Sequence, residues 1–238
     1  MQQTRVFNDI KFLNIFDLDG TVINSFHRVR PYLDEATGNL DLTGYIQNAC
    51  THELVQADTL LPLAAVMKEN INKGDTHNII VTARTMYKSD YYYLRKQGLI
   101  TNKPQAASIM SRTTLARYFA LEDIKDVYYS RDAEYKRKYF EILQAMYPNA
   151  VITVYDDHQG VLSVAREMGF QVVDATLVND VLNVGYRMAG EQFIDQVMEE
   201  LHDPEALAEH IETAWCSYTQ EERDYLSSKF NKLVAISA

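Results

Sequence analysis

Short apolar segments alternate with amphipathic segments along the first 175 residues of the chain. The candidate strands are rich in Ile, Val, Tyr and Phe, as buried strands are, and they cover 11–16, 78–82, 126–130, 150–156 and 170–174. The intervening segments have the apolar spacing of helices and cover 59–72, 87–97, 113–120, 134–146 and 160–168. Strands that alternate with helices predict the α/β class, with a parallel sheet that carries helices on its faces.

Two regions lie outside this alternation. Residues 25–58 show no strong period, and we interpret them as an insertion over one end of the sheet. Residues 188–235 contain helical stripes and the cap-like pair Asp203-Pro204, which predict two or three helices. We therefore predict a core domain at 1–187 with a small insertion at 25–58, followed by a helical extension at 188–238. Three of the predicted helices are followed by a glycine, the residue that most readily adopts the left-handed conformation common at helix ends. These glycines are Gly74, Gly98 and Gly169.

The acidity of the chain is concentrated near its carboxyl end. The formal net charge is −10, but residues 1–189 hold 22 acidic and 20 basic residues, whereas residues 190–224 hold eleven acidic residues and one basic residue. The charge of the extension therefore says little about what the core domain binds. A nucleic-acid or nucleotide substrate is not excluded by the low isoelectric point.

The composition points to a reducing, non-membrane setting. Only Cys50 and Cys216 are present, outside any C-x-x-C pattern, which indicates neither a disulfide framework nor a zinc ribbon. No apolar run approaches the ~20 residues that span a bilayer, and the segment MQQTRVFNDIKF has no signal-peptide core. We expect a cytoplasmic protein that does not bind a membrane.

Polar residues follow three of the predicted strands. Asp17-Leu18-Asp19 ends the first strand, Thr82-Ala83-Arg84 ends the second, and Asp156-Asp157 ends the fourth. In an open parallel sheet, ligands bind beyond the carboxyl ends of the strands. If these strands are neighbours, their polar residues converge on one crevice.

Two aspartates one residue apart, at Asp17 and Asp19, repel each other unless a cation or a proton lies between them. A calcium loop of the EF-hand type would need Gly at the sixth position and Glu at the twelfth, but Val22 and Arg28 stand there. A purely structural turn is the alternative, because Asp and Gly favour turns. The second pair at Asp156 and Asp157 makes this alternative less favourable.

Four features of the sequence resemble the haloacid dehalogenase (HAD) phosphohydrolase superfamily. They are the motif DLDGT after an apolar strand, a Thr after the second strand, a Lys near the start of a late helix, and DD after a further strand. The resemblance covers roughly residues 11–175. It implies a Rossmann-like parallel sheet, a HAD-like fold, in which the insertion at 25–58 takes the place of the substrate-selecting cap. Because the insertion is short, we expect a fairly open site.

The resemblance also implies roles for individual residues. Asp17 would be the nucleophile that forms an aspartyl-phosphate, and Asp19 would be the general acid and then the general base. Gly20 would allow a sharp turn beneath the phosphate, and Thr82 would bind a phosphate oxygen together with a lysine. A Mg²⁺ ion would be held by the Asp17 carboxylate, the Asp19 carbonyl and Asp156, with Asp157 in support.

A narrower resemblance, to phage-type polynucleotide 3′-phosphatase domains, implies further substrate-binding residues. The matching positions are Arg28, Arg84, Asp132 and Lys136, and they select Lys136 over Lys138 as the phosphate-binding lysine. The chain departs from that pattern at His158, which either touches a leaving group or caps the following helix. It also lacks a phosphate-cradling GxxxxGK[ST] loop.

These observations predict a Mg²⁺-dependent phosphomonoesterase that acts on nucleotides, most simply nucleoside monophosphates. The chain is also similar to small phosphatase-like proteins of tailed phages, with DDHQG as a variant motif. One alternative is a polynucleotide 3′-end phosphatase, whose phosphate track would begin at the basic residues of 131–138. An alternative of another class is a binding or assembly protein on a HAD scaffold, and the apolar stripes of 188–235 suggest a possible homo-oligomer.

Overall fold

The computed structural model describes residues 6–34, 36–37, 39–71, 73–100, 109–180 and 182. The chain divides into two units, Met1–Val172 and Val173–Ala238, and all the predicted site residues lie in the first. The helices predicted at 188–235 and the domain boundary at 187 lie outside the described residues. They stay predictions.

The central element is a five-stranded sheet. Seven strands are described in chain order: β1 (Phe12–Phe16), β2 (Ile23–Asn24), β3 (Thr59–Leu60), β4 (Thr76–Val81), β5 (Ile109–Met110), β6 (Val151–Asp156) and β7 (Gln171–Asp174). The order in the sheet is β5-β4-β1-β6-β7, and β1 pairs in parallel with both β4 and β6. Since β1 is central, its Leu13, Ile15 and Phe16 are all buried. The α/β class and the mostly parallel sheet are confirmed.

Eight described α-helices lie between β1 and β7: α1 (Phe26–Val29), α2 (Leu42–Asn48), α3 (His52–Gln56), α4 (Leu63–Asn70), α5 (Lys88–Lys96), α6 (Ile124–Tyr129), α7 (Asp132–Met146) and α8 (Gln159–Glu167). Short 3₁₀ turns lie at Arg30–Tyr32 and Leu115–Arg117, and the described residues 175–180 after β7 are also helical. Gly98 and Gly169 adopt positive φ after α5 and α8, as predicted, whereas Gly74 does not. The helix predicted at 113–120 is reduced to the 3₁₀ turn. Among the described residues, none of these helices is long and apolar enough to cross a membrane.

The prediction of a strand at 126–130 is wrong, because this segment belongs to helix α6. Val127 is buried and Ile124 is partly buried, and that spacing of three suits a helix rather than an alternating strand. The strand that pairs beside β4 is β5 instead. With only two residues, β5 is too short to leave a periodic pattern in the sequence.

The segment 25–58 begins and ends at a pair of short antiparallel strands. Ile23 of β2 pairs with Leu60 of β3, and Asn24 pairs with Thr59. The pairing holds the two ends of the segment side by side, and the segment itself contains α1, α2 and α3. Its function as a substrate-selecting cap stays a prediction, and we refer to it below as the cap segment.

Candidate active site

The turn after β1 places Asp17 at the carboxyl end of the central strand. The amide of Asp17 still donates to the Tyr155 carbonyl of β6 at 3.0 Å, so the residue is fixed by the sheet. The chain then reverses around Leu18, whose carbonyl accepts from the amides of Val22 and Ile23 at 3.0 and 2.9 Å. Asp17 is only 8% exposed, so its carboxylate lies in a largely buried crevice.

Gly20 is required by this turn for two independent reasons. Its φ of 79° lies in the left-handed region that side chains rarely adopt. A Cβ atom at this position would also stand 2.3 Å from Oδ2 of Asp157. The turn of the first motif therefore packs directly against the second aspartate of the DD motif, and no larger residue fits between them.

Lys136 connects the first motif to the DD motif. Its Nζ lies 2.7 Å from Oδ1 of Asp17 and 2.6 Å from Oδ2 of Asp156. Lys136 lies on the buried face of α7 and is 3% exposed, whereas Lys138 is exposed. The structure thus brings Lys136, and not Lys138, to the predicted nucleophile.

Negative charge is in excess in this crevice. Burial raises the pKa of Asp17 to about 8, and the carboxylates of Asp156, Asp19 and Asp157 add to the effect of burial, although Lys136 opposes them. Burial also raises the pKa of Asp157. The Lys136 pKa is raised despite burial, because two carboxylates stabilise its charged form. A site of this kind favours a further cation.

The side chain of Asp19 is held by Arg84 and Ser25. Nε of Arg84 donates to Oδ2 of Asp19 at 2.9 Å, its Nη2 donates to Oδ1, and the Ser25 hydroxyl also donates to Oδ1. Burial opposes ionisation of Asp19, but the Arg84 charge and these hydrogen bonds outweigh it and lower the pKa of Asp19. In this structure, Asp19 is therefore a carboxylate.

Arg84 also lies close to two other carboxylates, those of Asp90 and Asp58. Its Nη1 donates to Oδ1 of Asp90 at 2.7 Å, and its Nη2 lies 3.9 Å from Oδ2 of Asp58. Asp90 is positioned by the start of α5, where its Oδ2 accepts from the amide of Tyr87 at 2.7 Å. The backbone amide of Arg84 donates to Oγ1 of Thr82 at 3.2 Å, and Thr82 is 2% exposed.

Arg28 pairs with Asp58, which also lies near Arg84, and the Arg28 charge adds to that of Arg84 in lowering the pKa of Asp19. Its Nε and Nη2 both donate to Asp58 at 2.7 Å, and its Nη1 donates to the Ala49 carbonyl at 3.2 Å. The side chain is only 1% exposed. Arg28 thus fixes the base of the cap segment, and its predicted role towards substrate receives no support from these contacts.

Asp132 and His158 also have partners other than substrate. Asp132 accepts from Nη2 of Arg112 at 3.1 Å, so it pairs with that arginine and not with Lys136. Arg112 lies over the ring of Tyr135 at 4.6 Å. Nδ1 of His158 accepts from the amide of Gly160 at 3.1 Å, which makes His158 the cap of α8, one of the two alternatives left open.

Three residues of the site are not found by the sequence reasoning. Ser25 and Asp58 bound the cap segment, where no periodic pattern or motif marks them. Asp90 stands three residues after Tyr87 at the start of a helix, a spacing that indicates a helix start but not a contact with Arg84. Ser25 and Asp90 contact Asp19 and Arg84 only six positions away, but no motif marks these loop contacts, and Asp58 meets Arg28 across 30 positions.

Comparison with known proteins identifies the chain's relatives. The family model described as bacteriophage T5 5′-deoxynucleotidase matches residues 1–236. The 5′-deoxynucleotidase of Escherichia phage T5 is 49% identical over 220 residues, which cover 92% of this chain and 90% of that protein. No solved structure matches the chain. The chain belongs to the bacteriophage T5 5′-deoxynucleotidase family, and the prediction that it is a phosphomonoester hydrolase is confirmed.

Proposed function

We propose that this protein is a Mg²⁺-dependent, HAD-type phosphatase of 2′-deoxynucleoside 5′-monophosphates. The observation that carries the proposal is the buried contact of Lys136 with both Asp17 and Asp156. It joins the DLDGT motif, the DD motif and a lysine at the carboxyl ends of adjacent parallel strands, where phosphate ligands bind in open α/β sheets. The substrate class follows from the name of the phage T5 relative.

The proposed reaction has two steps, both at phosphorus. In the first, a carboxylate oxygen of Asp17 forms a bond to phosphorus, the bond from phosphorus to the 5′ oxygen breaks, and the carboxyl of Asp19 gives its proton to that oxygen. In the second, water attacks the aspartyl-phosphate, Asp19 accepts the proton of the water, and phosphate leaves with Asp17 restored. The products are a deoxynucleoside and inorganic phosphate.

Arg84 must change partners in this scheme. Asp19 has to carry a proton before the first step, but the guanidinium of Arg84 holds it as a carboxylate in this structure. Phosphate oxygens are good bidentate partners for arginine. We therefore infer that Arg84 moves towards the phosphate when substrate binds, while Thr82 and Lys136 bind the remaining phosphate oxygens.

The metal requirement rests on the chemistry of the donors. Among the described residues, no group of three or more His, Cys, Asp or Glu side chains is placed to hold a metal ion. Mg²⁺ needs fewer, because it keeps several waters and binds one or two carboxylates together with substrate phosphate. The Asp17 and Asp156 carboxylates and the Asp19 carbonyl would hold it, with Asp157 in support. When bound, the ion would withdraw charge from the phosphate oxygens.

The geometry gives less support to a polynucleotide 3′-end phosphatase. Arg28 and Asp132, two of the four residues on which the narrower resemblance depends, are paired with Asp58 and Arg112. Membership of an enzyme family also argues against a scaffold that only binds a partner. A nucleotidase therefore accounts for more of the described contacts than either alternative.

The test is phosphate release in Mg²⁺ from 2′-deoxynucleoside 5′-monophosphates, ribonucleoside 5′-monophosphates, 3′-monophosphates and a 3′-phosphorylated oligonucleotide. We expect turnover of the deoxynucleoside 5′-monophosphates in the wild type and in the surface control Asp9→Asn, and no turnover in Asp17→Asn. Faster turnover of the oligonucleotide, decreasing steeply with salt, would contradict the proposed substrate class.

A further inference from the structure

A cavity of about 440 Å³ lies between cap-segment helix α3 and the outer face of α5. The buried residues of α5 are Asp90, Tyr93 and Leu94. The cavity is lined instead by the opposite face of that helix together with α3, through His52, Lys88, Ser89, Tyr91, Tyr92 and Arg95. None of these lining residues belongs to the Asp17 crevice. The volume is within the range of small-molecule sites.

The two walls of this α3/α5 cavity are held together by hydrogen bonds. Nε2 of Gln56 donates to the Ser89 carbonyl at 3.2 Å, and Nδ1 of His52 lies 3.4 Å from the Ser89 hydroxyl. These contacts hold α3 against the first turn of α5 and so fix the spacing of the two walls.

Two basic residues contribute to the lining of this cavity, whose walls are otherwise almost entirely apolar. Lys88 and Arg95 are both exposed, and neither forms an ion pair with any acidic residue in the described part of the chain. They stand seven positions apart on α5, which is about 10.5 Å along the helix axis. This spacing fits a chain of phosphates, which can reach both charged ends.

Aromatic rings lie between the two cations. Tyr92 is 53% exposed, and its ring centroid is 5.8 Å from that of His52 with the planes inclined by 51°. Rings at this inclination do not stack fully on each other, so a face of Tyr92 is left for a third ring. Exposed aromatic faces beside basic side chains are what nucleobases with phosphates bind.

We propose that the α3/α5 cavity is a second binding site, which takes a nucleotide with a polyphosphate chain. The phosphates pair with Lys88 and Arg95, and the base packs on Tyr92 and His52. This inference does not depend on the reaction at Asp17. A ligand here contacts both the cap segment and the core, since His52 belongs to α3 and the other contacting residues belong to α5.

The test is calorimetric titration of full-length Asp17→Asn protein, which we expect not to turn over substrate, with dATP as the probe. In this background we expect dATP to bind, and the double variant Lys88→Glu/Arg95→Glu to weaken binding at least tenfold. The matched control Lys125→Glu/Arg117→Glu makes the same charge change at exposed positions outside the cavity and should change the dissociation constant less than twofold. Equal affinity in the two double variants would overturn the proposal.

Further binding measurements identify the class of ligand. Tyr92→Ala should weaken dATP binding about tenfold, and Tyr92→Phe should retain it, because stacking needs the ring and not the hydroxyl. Inorganic triphosphate should bind at least tenfold more weakly than dATP, and equal binding would overturn the assignment of a base. An oligodeoxythymidylate that binds through the same residues tenfold more tightly than dATP would overturn a single nucleotide in favour of a DNA strand. Circular dichroism melts of each variant exclude loss of folding.

Discussion

Asp17 is a destabilising residue in the metal-free protein. Burial and neighbouring carboxylates raise its pKa from 3.8 to about 8, so the folded protein holds this proton more tightly than the unfolded chain does. The stabilising effect of the protonated form is complete below about pH 4 and is lost as the pH rises towards 8. Ionised Asp17 therefore costs stability at pH 8.

We predict that Asp17→Asn, which is neutral at every pH, raises the melting temperature of the metal-free protein at pH 8 by roughly 5 °C. At pH 5 the difference from wild type should be smaller, because Asp17 is then mostly protonated. Differential scanning calorimetry at both pH values, with Asp9→Asn as the exposed control, measures this. A variant less stable than wild type at pH 8 would show that the Asp17 charge is fully compensated by Lys136.

The two lysines of α7 provide a second residue-scale test. Lys136→Met removes the cation between two buried carboxylates and should cost about 3–5 kcal/mol of stability and 10²–10³-fold in kcat. Lys138→Met, two positions along the same helix and exposed, should change stability by less than ~0.5 kcal/mol and leave kcat within twofold. Equal losses in both variants, measured by urea unfolding and steady-state kinetics, would argue against the assignment of Lys136.

The sequence identifies some site residues and misses others for a physical reason. Asp17, Asp19 and Asp156 follow strands whose apolar patterns are visible, so their meeting at one sheet edge is predictable. Lys136 is selected only through the resemblance, because its burial depends on the face of α7 that packs against the core. The partner Asp58 depends on the path of the cap segment, which has no periodic pattern, and the partner Asp90 depends on how the start of α5 faces Arg84.

The turn after β1 carries the DLDGT motif and packs against the DD motif. Gly20→Ala combines a left-handed backbone with a Cβ only 2.3 Å from Asp157. Gly98→Ala has the same backbone conformation, with φ of 73°, but meets no atom within 4 Å. The pair of variants therefore separates backbone strain from packing against the DD motif.

We predict that Gly98→Ala costs about 1–2 kcal/mol and leaves kcat unchanged. Gly20→Ala should cost more than Gly98→Ala and lower kcat at least tenfold, since the displacement of Asp157 disturbs the adjacent Asp156. Chemical denaturation and phosphate release, measured on both variants, give the two quantities. Equal costs with full activity in Gly20→Ala would contradict the close packing of the turn on Asp157.

At the scale of elements, the sequence predicts long periodic segments well and short ones poorly. β1, β4, β6, α5, α7 and α8 lie where the apolar pattern predicts them, to within a few residues. In α6 the β-branched and aromatic residues favour a strand, but burial of Ile124 and Val127 on one side makes a helix. β5 has two residues, so no pattern could reveal it.

The whole molecule should be stabilised by Mg²⁺ if the proposed ligands hold the ion. An ion that binds only the folded protein contributes about 2.7 kcal/mol at a hundredfold excess over its dissociation constant, or roughly 5–10 °C for a chain of this size. We predict such a rise in melting temperature in the wild type and in Asp9→Asn, and a loss of most of it in Asp156→Asn. An equal rise in all three proteins would place the ion elsewhere.

For the whole molecule, the alternation of strands and helices predicts the α/β class, and the resemblance to the HAD superfamily predicts the enzyme class, which the family comparison confirms. The narrower choice between nucleotide and polynucleotide is not encoded in any single motif. We expect it to depend on where Arg28, Arg84 and the cap segment lie relative to the crevice, which only the folded chain determines.

The central claim is that Asp17 carries the phosphoryl group during hydrolysis of a deoxynucleotide. The most direct measurement is a rapid acid quench of the enzyme during turnover of dTMP labelled with ³²P at the 5′ phosphate, followed by peptide mapping. We predict protein-bound label that hydroxylamine removes, as expected for an acyl phosphate, on the peptide that contains Asp17, and none in Asp17→Asn. Turnover of dTMP by Asp17→Asn, with no labelled wild-type protein, would contradict the account.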